Sequence, residues 1–287
     1  MDAKDFGLLV ALFEDSRQSY RALGRRVSLS HPVVGDRLRQ LEKLGILRGF
    51  FVTINPQALG REDLLVRFDG EWSREDAEKA LGSPDVVWVA WKLNGNLTVQ
   101  LWPIDRERAM SILAKTVGAS PSGHFLAEPN RGFHPPTMVD WQITDALVDD
   151  PVRSLDDLVK ATGLSPKTVR NHLRQLVGEE TVTIAPNLGS LSDSGELVYT
   201  VSVFGQTGFS EIRRVLGDAY LIKQFQHPPA KHLLCRGRDL GEVLGRTREL
   251  GKLPGAAKVS VSLNREQLVS KRFVHSVVRA QIRKSEH

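Results

Sequence analysis

The chain has 287 residues, enough for two to four small domains, and its 41% hydrophobic and 25% charged residues exclude a largely disordered or low-complexity protein. Lys and Arg number 39 against 34 Asp and Glu, a net +5 that permits an anionic partner without requiring one. One cysteine, Cys235, excludes intrachain disulfides and thiolate zinc clusters. No apolar run approaches the ~18 residues of a bilayer span, and Asp2 and Asp5 stand where a signal peptide carries basic residues, so a cytoplasmic protein with no membrane partner is expected.

In chain order, Phe6, Leu9, Val10 and Phe13 recur at the spacing of an amphipathic helix, and Ser19 to Val27 forms a second, short helix. A third starts at Ser30, a good N-cap followed by Pro32, with Val34, Leu38 and Leu41 inward and Gly45 at its end. Two helices joined by Ser28-Leu29 have the helix-turn-helix layout, and Ile46 to Ile54, with Arg48-Gly49 at its centre, reads as a wing hairpin. Downstream come a strand at Leu64 to Phe68, a helix at Arg74 to Leu81, strands at Val86 to Lys92 and Leu97 to Trp102 joined by Asn94-Gly95-Asn96, and a helix at Asp105 to Val117.

The pattern then repeats. Asp5 to Leu12 lies over Asp140 to Leu147, and at the same offset Leu29-Ser30 meets Leu164-Ser165, Val34 meets Val169, Leu38 meets Leu173 and Leu41 meets Leu176. The second half continues with a strand at Leu197 to Phe204, a helix at Phe209 to Leu216, strands near Tyr220 to Gln226 and His232 to Arg236, a helix at Asp239 to Leu250 and a strand at Ala257 to Leu263. The fold class expected is α+β: two tandem units, each a winged helix-turn-helix followed by a ferredoxin-like βαββαβ domain, plus a C-terminal helix. The divisions are 1–60 and 61–127 for the first unit, a Pro- and Gly-containing linker at 128–137, 138–190 and 191–263 for the second, and an amphipathic basic helix at 264–287.

These residues resemble the Lrp/AsnC family of transcriptional regulators. The resemblance rests on Asp5, Leu8, Leu12, Asp15-Ser16-Arg17, Leu23, Leu29-Ser30, Val34, Arg37-Leu38, Leu41-Glu42, Gly45-Ile46-Leu47, Gly49-Phe50 and Asn55-Pro56 in the first half, and on Leu164-Ser165, Val169, Leu173, Leu176 and Leu253-Pro254-Gly255 in the second. It implies a sequence-specific, non-enzymatic DNA-binding regulator. Its ferredoxin-like domains, called RAM in that family, would serve assembly into a homodimer or larger homo-oligomer. Two copies in one chain depart from the usual single-copy member and can supply a pseudo-symmetric dimer internally.

A helix in the major groove reads base edges from near its N-terminus while basic groups around it hold phosphates. With Val34, Leu38 and Leu41 inward, the first reading set is His31, Arg37 and Gln40, supported by Arg25, Arg26 and Arg48; Arg37 has the geometry to grip guanine. The second set is Lys167, Thr168, Arg170, Asn171 and Arg174, with Asn171 suited to adenine. Residues 1–60 carry nine basic against six acidic residues, whereas 138–190 carry five against eight, so the second helix must rely on local placement.

Amino-acid-sensing relatives shape an effector pocket with a Gly and a nearby acid at the hairpin between the second and third RAM strands. Here Gly95 persists but Asn96 replaces the acid, and His227-Pro228-Pro229 occupies the second copy, so an amino-acid effector lacks part of its pocket. Trp88, Trp91 and Trp102 are expected as core or interface aromatics. No cofactor or metal is implied. Two alternatives remain: a protein-interaction scaffold, and a tetrapyrrole enzyme like the siroheme decarboxylases, which share this architecture and for which His124, His134, His227, His232, Arg236 and Arg238 are the candidates.

Overall fold

The protein is described from a computed structural model covering residues 1–130, 132–189 and 197–285. The first unit comprises α1 (Ala3–Glu14), α2 (Tyr20–Val27), α3 (His31–Lys43), β1 (Leu47–Ile54), β2 (Leu64–Phe68), α4 (Arg74–Leu81), β3 (Val86–Lys92), β4 (Leu97–Leu101), α5 (Arg106–Val117) and β5 (Gly123–Ala127). The second follows the same order with α6 (Met138–Asp149), α7 (Leu155–Thr162), α8 (Pro166–Gly178), β6 (Val182–Leu188), β7 (Leu197–Gly205), α9 (Phe209–Leu216), β8 (Ala219–His227), β9 (Pro229–Gly237), α10 (Leu240–Gly251) and β10 (Ala256–Ser262). The chain ends with β11 (Asn264–Val269) and α11 (Lys271–Ser285). This is the α+β architecture of paired helix-turn-helix and ferredoxin-like units.

Local chemistry starts these helices where short polar side chains meet the first turn. Asp2 and Asp5 form a reciprocal capping box at α1, and Thr137 and Asp140 repeat it at α6. Ser165 accepts from the Thr168 backbone N–H at 3.1 Å and caps α8. Ser30 stands at the same place before α3 but makes no side-chain cap bond, leaving Pro32 to set the first turn.

The wing hairpin expected between Ile46 and Ile54 does not form. The segment is one strand, β1, which pairs antiparallel with β6 of the other unit, with Phe51 opposite Ala185 and Ile54 opposite Val182. Gly49, at φ +102°, sits where the register shifts between Leu47 and Phe50, so it makes a bulge where the sequence suggested a turn. The C-terminal segment also differs from a single helix. Residues 264–269 add to the outer edge of β3, and the helical spacing begins only beyond Ser270. An unpaired β3 edge is the alternative, and a sheet edge is a liability that chains cover when they can.

The remaining strands form one sheet in the order β10-β7-β9-β8-β5-β2-β4-β3-β11. Each half of that order is the ferredoxin-like arrangement, and the halves meet where β5 pairs with β8. Only Leu263 separates β10 from β11, and the Leu263 carbonyl accepts from Leu93 N–H at 2.9 Å, so the sheet curls until its two ends join through the chain. Helices cover its outside. Val89, Val99 and Leu101 cluster with Ala77 and Ala80 of α4 and Leu113 of α5, and Val201 and Leu233 with Ile212 of α9 and Val243 and Leu250 of α10.

The units are crossed as well as paired. The α1–α3 core continues into Leu188, Val198 and Leu234 of the second half, while the α6–α8 core takes in Val52, Val87 and Trp102 of the first and Val274, Val277 and Val278 of α11. Two described residues of the stretch 128–137, of linker composition, are tied down: the Asn55 side chain donates to the Asn130 carbonyl at 2.8 Å, and His134 meets Glu179 at 2.6 Å.

Candidate nucleic-acid interface and central chamber

The two candidate reading helices differ in what their side chains are doing. On α8, Lys167, Arg170, Asn171 and Arg174 are exposed, and among the described residues none makes an ion pair or side-chain hydrogen bond within the protein. Thr168 shares a hydrogen bond with the Ser165 hydroxyl at 2.8 Å, so it braces the first turn. Val169 and Leu176 point the other way into the core, which turns the polar stripe outward.

On α3 the cations are largely spent. The expectation that Arg37 faces outward is corrected: its guanidinium donates to Asp2 and Asp5 at 2.8 Å each, and its side chain is only 28% exposed. Both acids belong to the α1 capping box, so Arg37 ties α3 to the start of α1, and its hydrogen bonds to Asp5 and Asp2 raise its pKa above the ordinary arginine value. Arg39 is paired with Asp36, Arg48 with Glu266 at 3.0 Å, and Arg26 with Glu14. Arg17 reaches across to the Pro151 and Arg153 carbonyls at 3.0 and 2.8 Å. His31, Gln40 and Arg25 remain exposed with no side-chain partner among the described residues.

The hairpin named for an effector is filled by its own chain. Gly95 has φ +82°, and a Cβ there would meet the Gly70 carbonyl at 2.8 Å. Asn96 bonds Asp69 at 2.9 Å and receives Gly70 N–H at 3.0 Å. Gly95 serves a hairpin turn. Trp102 is fully buried, and Trp91 lies under the Arg265 guanidinium at 4.4 Å.

A second feature escaped the sequence. The curled sheet encloses a chamber of about 570 Å³, roofed by the α1–α2 turn and the β1–β6 ribbon. Its walls carry Trp88, Lys92, Thr98, Gln100, Lys223 and His232. Lys92 is 6% exposed, and its Nζ donates to Asn264 Oδ1 at 2.5 Å; burial pushes its pKa down to about 8. Lys223 is paired with Asp63, which also accepts from Gln100 at 2.6 Å. His232 meets the Ser202 hydroxyl at 2.8 Å, and burial, with the Lys92 and Lys223 charges behind it, pushes it down to about 3, so its imidazole is neutral. LTVQL alternates like a half-exposed strand; only knowledge that both faces are covered would have marked Thr98 and Gln100 as chamber residues.

The histidines considered for tetrapyrrole chemistry do not converge. His232 lines the chamber, whereas His124 and His227 are exposed and His134 lies against Glu179. Arg236 approaches Asp218 at 3.9 Å, and Arg238 is held by Glu242 at 3.2 Å. Among the described residues no cluster of His, Cys, Asp and Glu could hold a metal, and no helix is long and apolar enough to cross a membrane.

Residues 1–42 match the AsnC-type helix-turn-helix domain, and residues 141–183 match the model of bacterial regulatory proteins of the arsR family. The HTH-type transcriptional regulator LrpC of Bacillus subtilis is 40% identical over 60 residues, 21% of this chain and 42% of that protein. The leucine-responsive regulatory protein of Rhizobium meliloti is 32% identical over 100 residues, 33% of this chain and 64% of the relative. The chain therefore spans less than two thirds of the length of these relatives. The siroheme decarboxylase NirDL aligns with 99% of this chain and 100% of its own at a TM-score of 0.53 and 13% identity, a likeness of fold. By its opening domain and these relatives in sequence, the chain is similar to regulators of the Lrp/AsnC family.

Proposed function

We propose that the protein is a sequence-specific DNA-binding transcriptional regulator in which α8 is the principal reader and α3 the lesser one. The observation that carries this is the exposed face of α8: three cations and an amide at the N-terminal half and middle of a helix, none engaged by a side chain among the described residues. Exposed side chains left without partners are available to phosphates and base edges, whereas Arg37, Arg39, Arg26 and Arg48 on and around α3 must first give up carboxylates. In this reading Arg170 and Lys167 hold phosphate or guanine, Asn171 reads adenine, and Arg174 closes the contact. His31, Gln40 and Arg25 supply the first unit's share. The divisions at 1–60, 61–127, 128–137, 138–190, 191–263 and 264–287 follow the same reading, with the RAM-like parts as the assembly body. A homodimer would present the helices in two-fold order to a palindromic site.

The test is footprinting across the source genome, followed by fluorescence anisotropy on the recovered duplex. Arg170→Ala and Asn171→Ala weaken the preferred site by ~1 to 3 kcal/mol, and the wild-type affinity falls steeply with salt on a log-log plot. Equal affinity of both variants and the wild type for every duplex overturns the assignment of α8. A visible haem-type absorption band on titration with siroheme, with no duplex bound, would favour the enzyme alternative.

A further inference from the structure

The inner faces of two opposed sheets are normally packed about 10 Å apart with apolar side chains interdigitating. Here the inner face carries Thr98, Gln100, Thr200 and Ser202 beside Lys92, Lys223 and His232, set among Leu65, Trp88, Phe225 and Leu234, with space between the walls. An apolar lining with a few placed polar and charged groups around an open volume is the signature of a ligand chamber, and 570 Å³ falls within the range of small-molecule sites.

Among the described residues Lys92 has no carboxylate as its partner. Asp63 is the carboxylate of Lys223 and also takes the Gln100 amide, so its charge is already paired. Glu14 is paired with Arg26, Glu180 accepts from Asn130, and Asp15 accepts from the Arg17 backbone N–H at 2.9 Å. Lys92 has only a neutral amide oxygen, that of Asn264. A buried ammonium without a counter-charge is costly, and none of the described residues pairs an anion with it. Across from it, neutral His232 and the Thr98 and Thr200 hydroxyls supply hydrogen bonds without adding charge, while Trp88, Phe51, Tyr220 and Leu234 offer apolar surface.

We propose that this chamber binds a small organic acid, one carboxylate seated on Lys92 and an apolar or aromatic body lying against Trp88 and Tyr220. A ligand whose ammonium group adjoins its carboxylate is disfavoured, because it would bring a second cation up to Lys92. This excludes free amino acids as the preferred class. The site differs from the Gly95 hairpin, which its own chain fills. The proposal does not rest on DNA binding, since its test uses the protein alone.

Isothermal titration of the full chain with naphthoate, naphthalenemethanol, naphthylmethylamine and L-tryptophan holds the body nearly constant while changing the charge. The expected result is saturable binding of naphthoate at least tenfold tighter than of the other three. Lys92→Met keeps the length of the side chain and removes the charge; it abolishes the preference for naphthoate while naphthalenemethanol still binds, which shows that the chamber is intact. Absence of saturable naphthoate binding to the wild type at millimolar concentration overturns the proposal. So does an equal or greater affinity for L-tryptophan, or a preference for naphthoate that survives in Lys92→Met.

Discussion

Lys92→Met should make the empty protein more stable at neutral pH, and by an amount that shrinks as pH rises. Folding moves the Lys92 ammonium from its ordinary 10.5 to about 8, so the native state binds this proton more weakly than the unfolded chain does. Where the unfolded state holds more protons, stability rises with pH. Below pH 8 both states are protonated and the native protein carries the full penalty; between about 8 and 10.5 it is progressively lifted. At ~1.4 kcal/mol for each pH unit of displacement the penalty comes to ~3 kcal/mol. The thioether chain loses the 2.5 Å bond to Asn264, which offsets ~1 kcal/mol, leaving the variant ahead by ~2 kcal/mol at pH 7. Cys235, pushed up to about 12, and the two raised tyrosines, Tyr199 and Tyr220, also titrate in alkali, but they are common to both proteins and cancel in the difference. Urea unfolding of both proteins at steps from pH 7 to 9.5 measures that difference. A gap that is absent at pH 7, or that stays constant to pH 9.5, refutes the claim that Lys92 is an uncompensated buried cation.

Arg37→Ala is expected to cost ~1 kcal/mol of stability, the value of charge-assisted hydrogen bonds discounted for partial exposure, while leaving the affinity for the preferred duplex within twofold; urea unfolding and anisotropy on one preparation check both. The Cys235 thiol, fully buried and pushed up to about 12 by burial, should be unreactive toward a disulfide reagent at pH 8 and react stoichiometrically once urea unfolds the chain. Gly95→Ala should lower the melting temperature by several degrees, since a Cβ at φ +82° is strained and also meets the Gly70 carbonyl at 2.8 Å; a change below one degree would mean that the hairpin relaxes freely.

Elements whose signal is local were legible from residues alone. The stripe Val34, Leu38, Leu41 gives α3, the Asn-Gly turn gives the β3–β4 hairpin, and Arg74 to Leu81 is a helix because Ser73 and Asp76 cap it. Pairing between distant segments was not legible. Ile46 to Ile54 has the composition of a strand, but nothing in it says that its partner lies 130 residues away in β6 rather than next door. Residues 264–269 have no helical stripe of their own and were drawn into a helix by the apolar spacing that follows them; the free edge of β3 decides their fate. The same limit applies to the interface. Exposure of Lys167, Arg170 and Asn171 follows from the α8 core, whereas capture of Arg37 depends on how the N-terminal turn of α1 docks on α3, a tertiary fact.

The crossing of the units gives the chamber a mechanical connection to the helices outside it. Phe13 stacks on Tyr220 at 5.2 Å, Ser16 donates to the Ile184 carbonyl at 2.6 Å, and Arg17 holds the α6–α7 turn through two carbonyls. One short turn of the first helix-turn-helix therefore touches the chamber, the ribbon and the second helix-turn-helix. A tenfold change in DNA affinity requires ~1.4 kcal/mol of difference between two arrangements, a quantity that one or two such hydrogen bonds can supply. In the proposed complex a carboxylate on Lys92 sets its body against Trp88 and Tyr220, so occupation of the chamber bears on the Phe13–Tyr220 stack. Here that contact is built into one chain, and the two helices proposed as readers are free to differ, as Arg37 and Arg170 do.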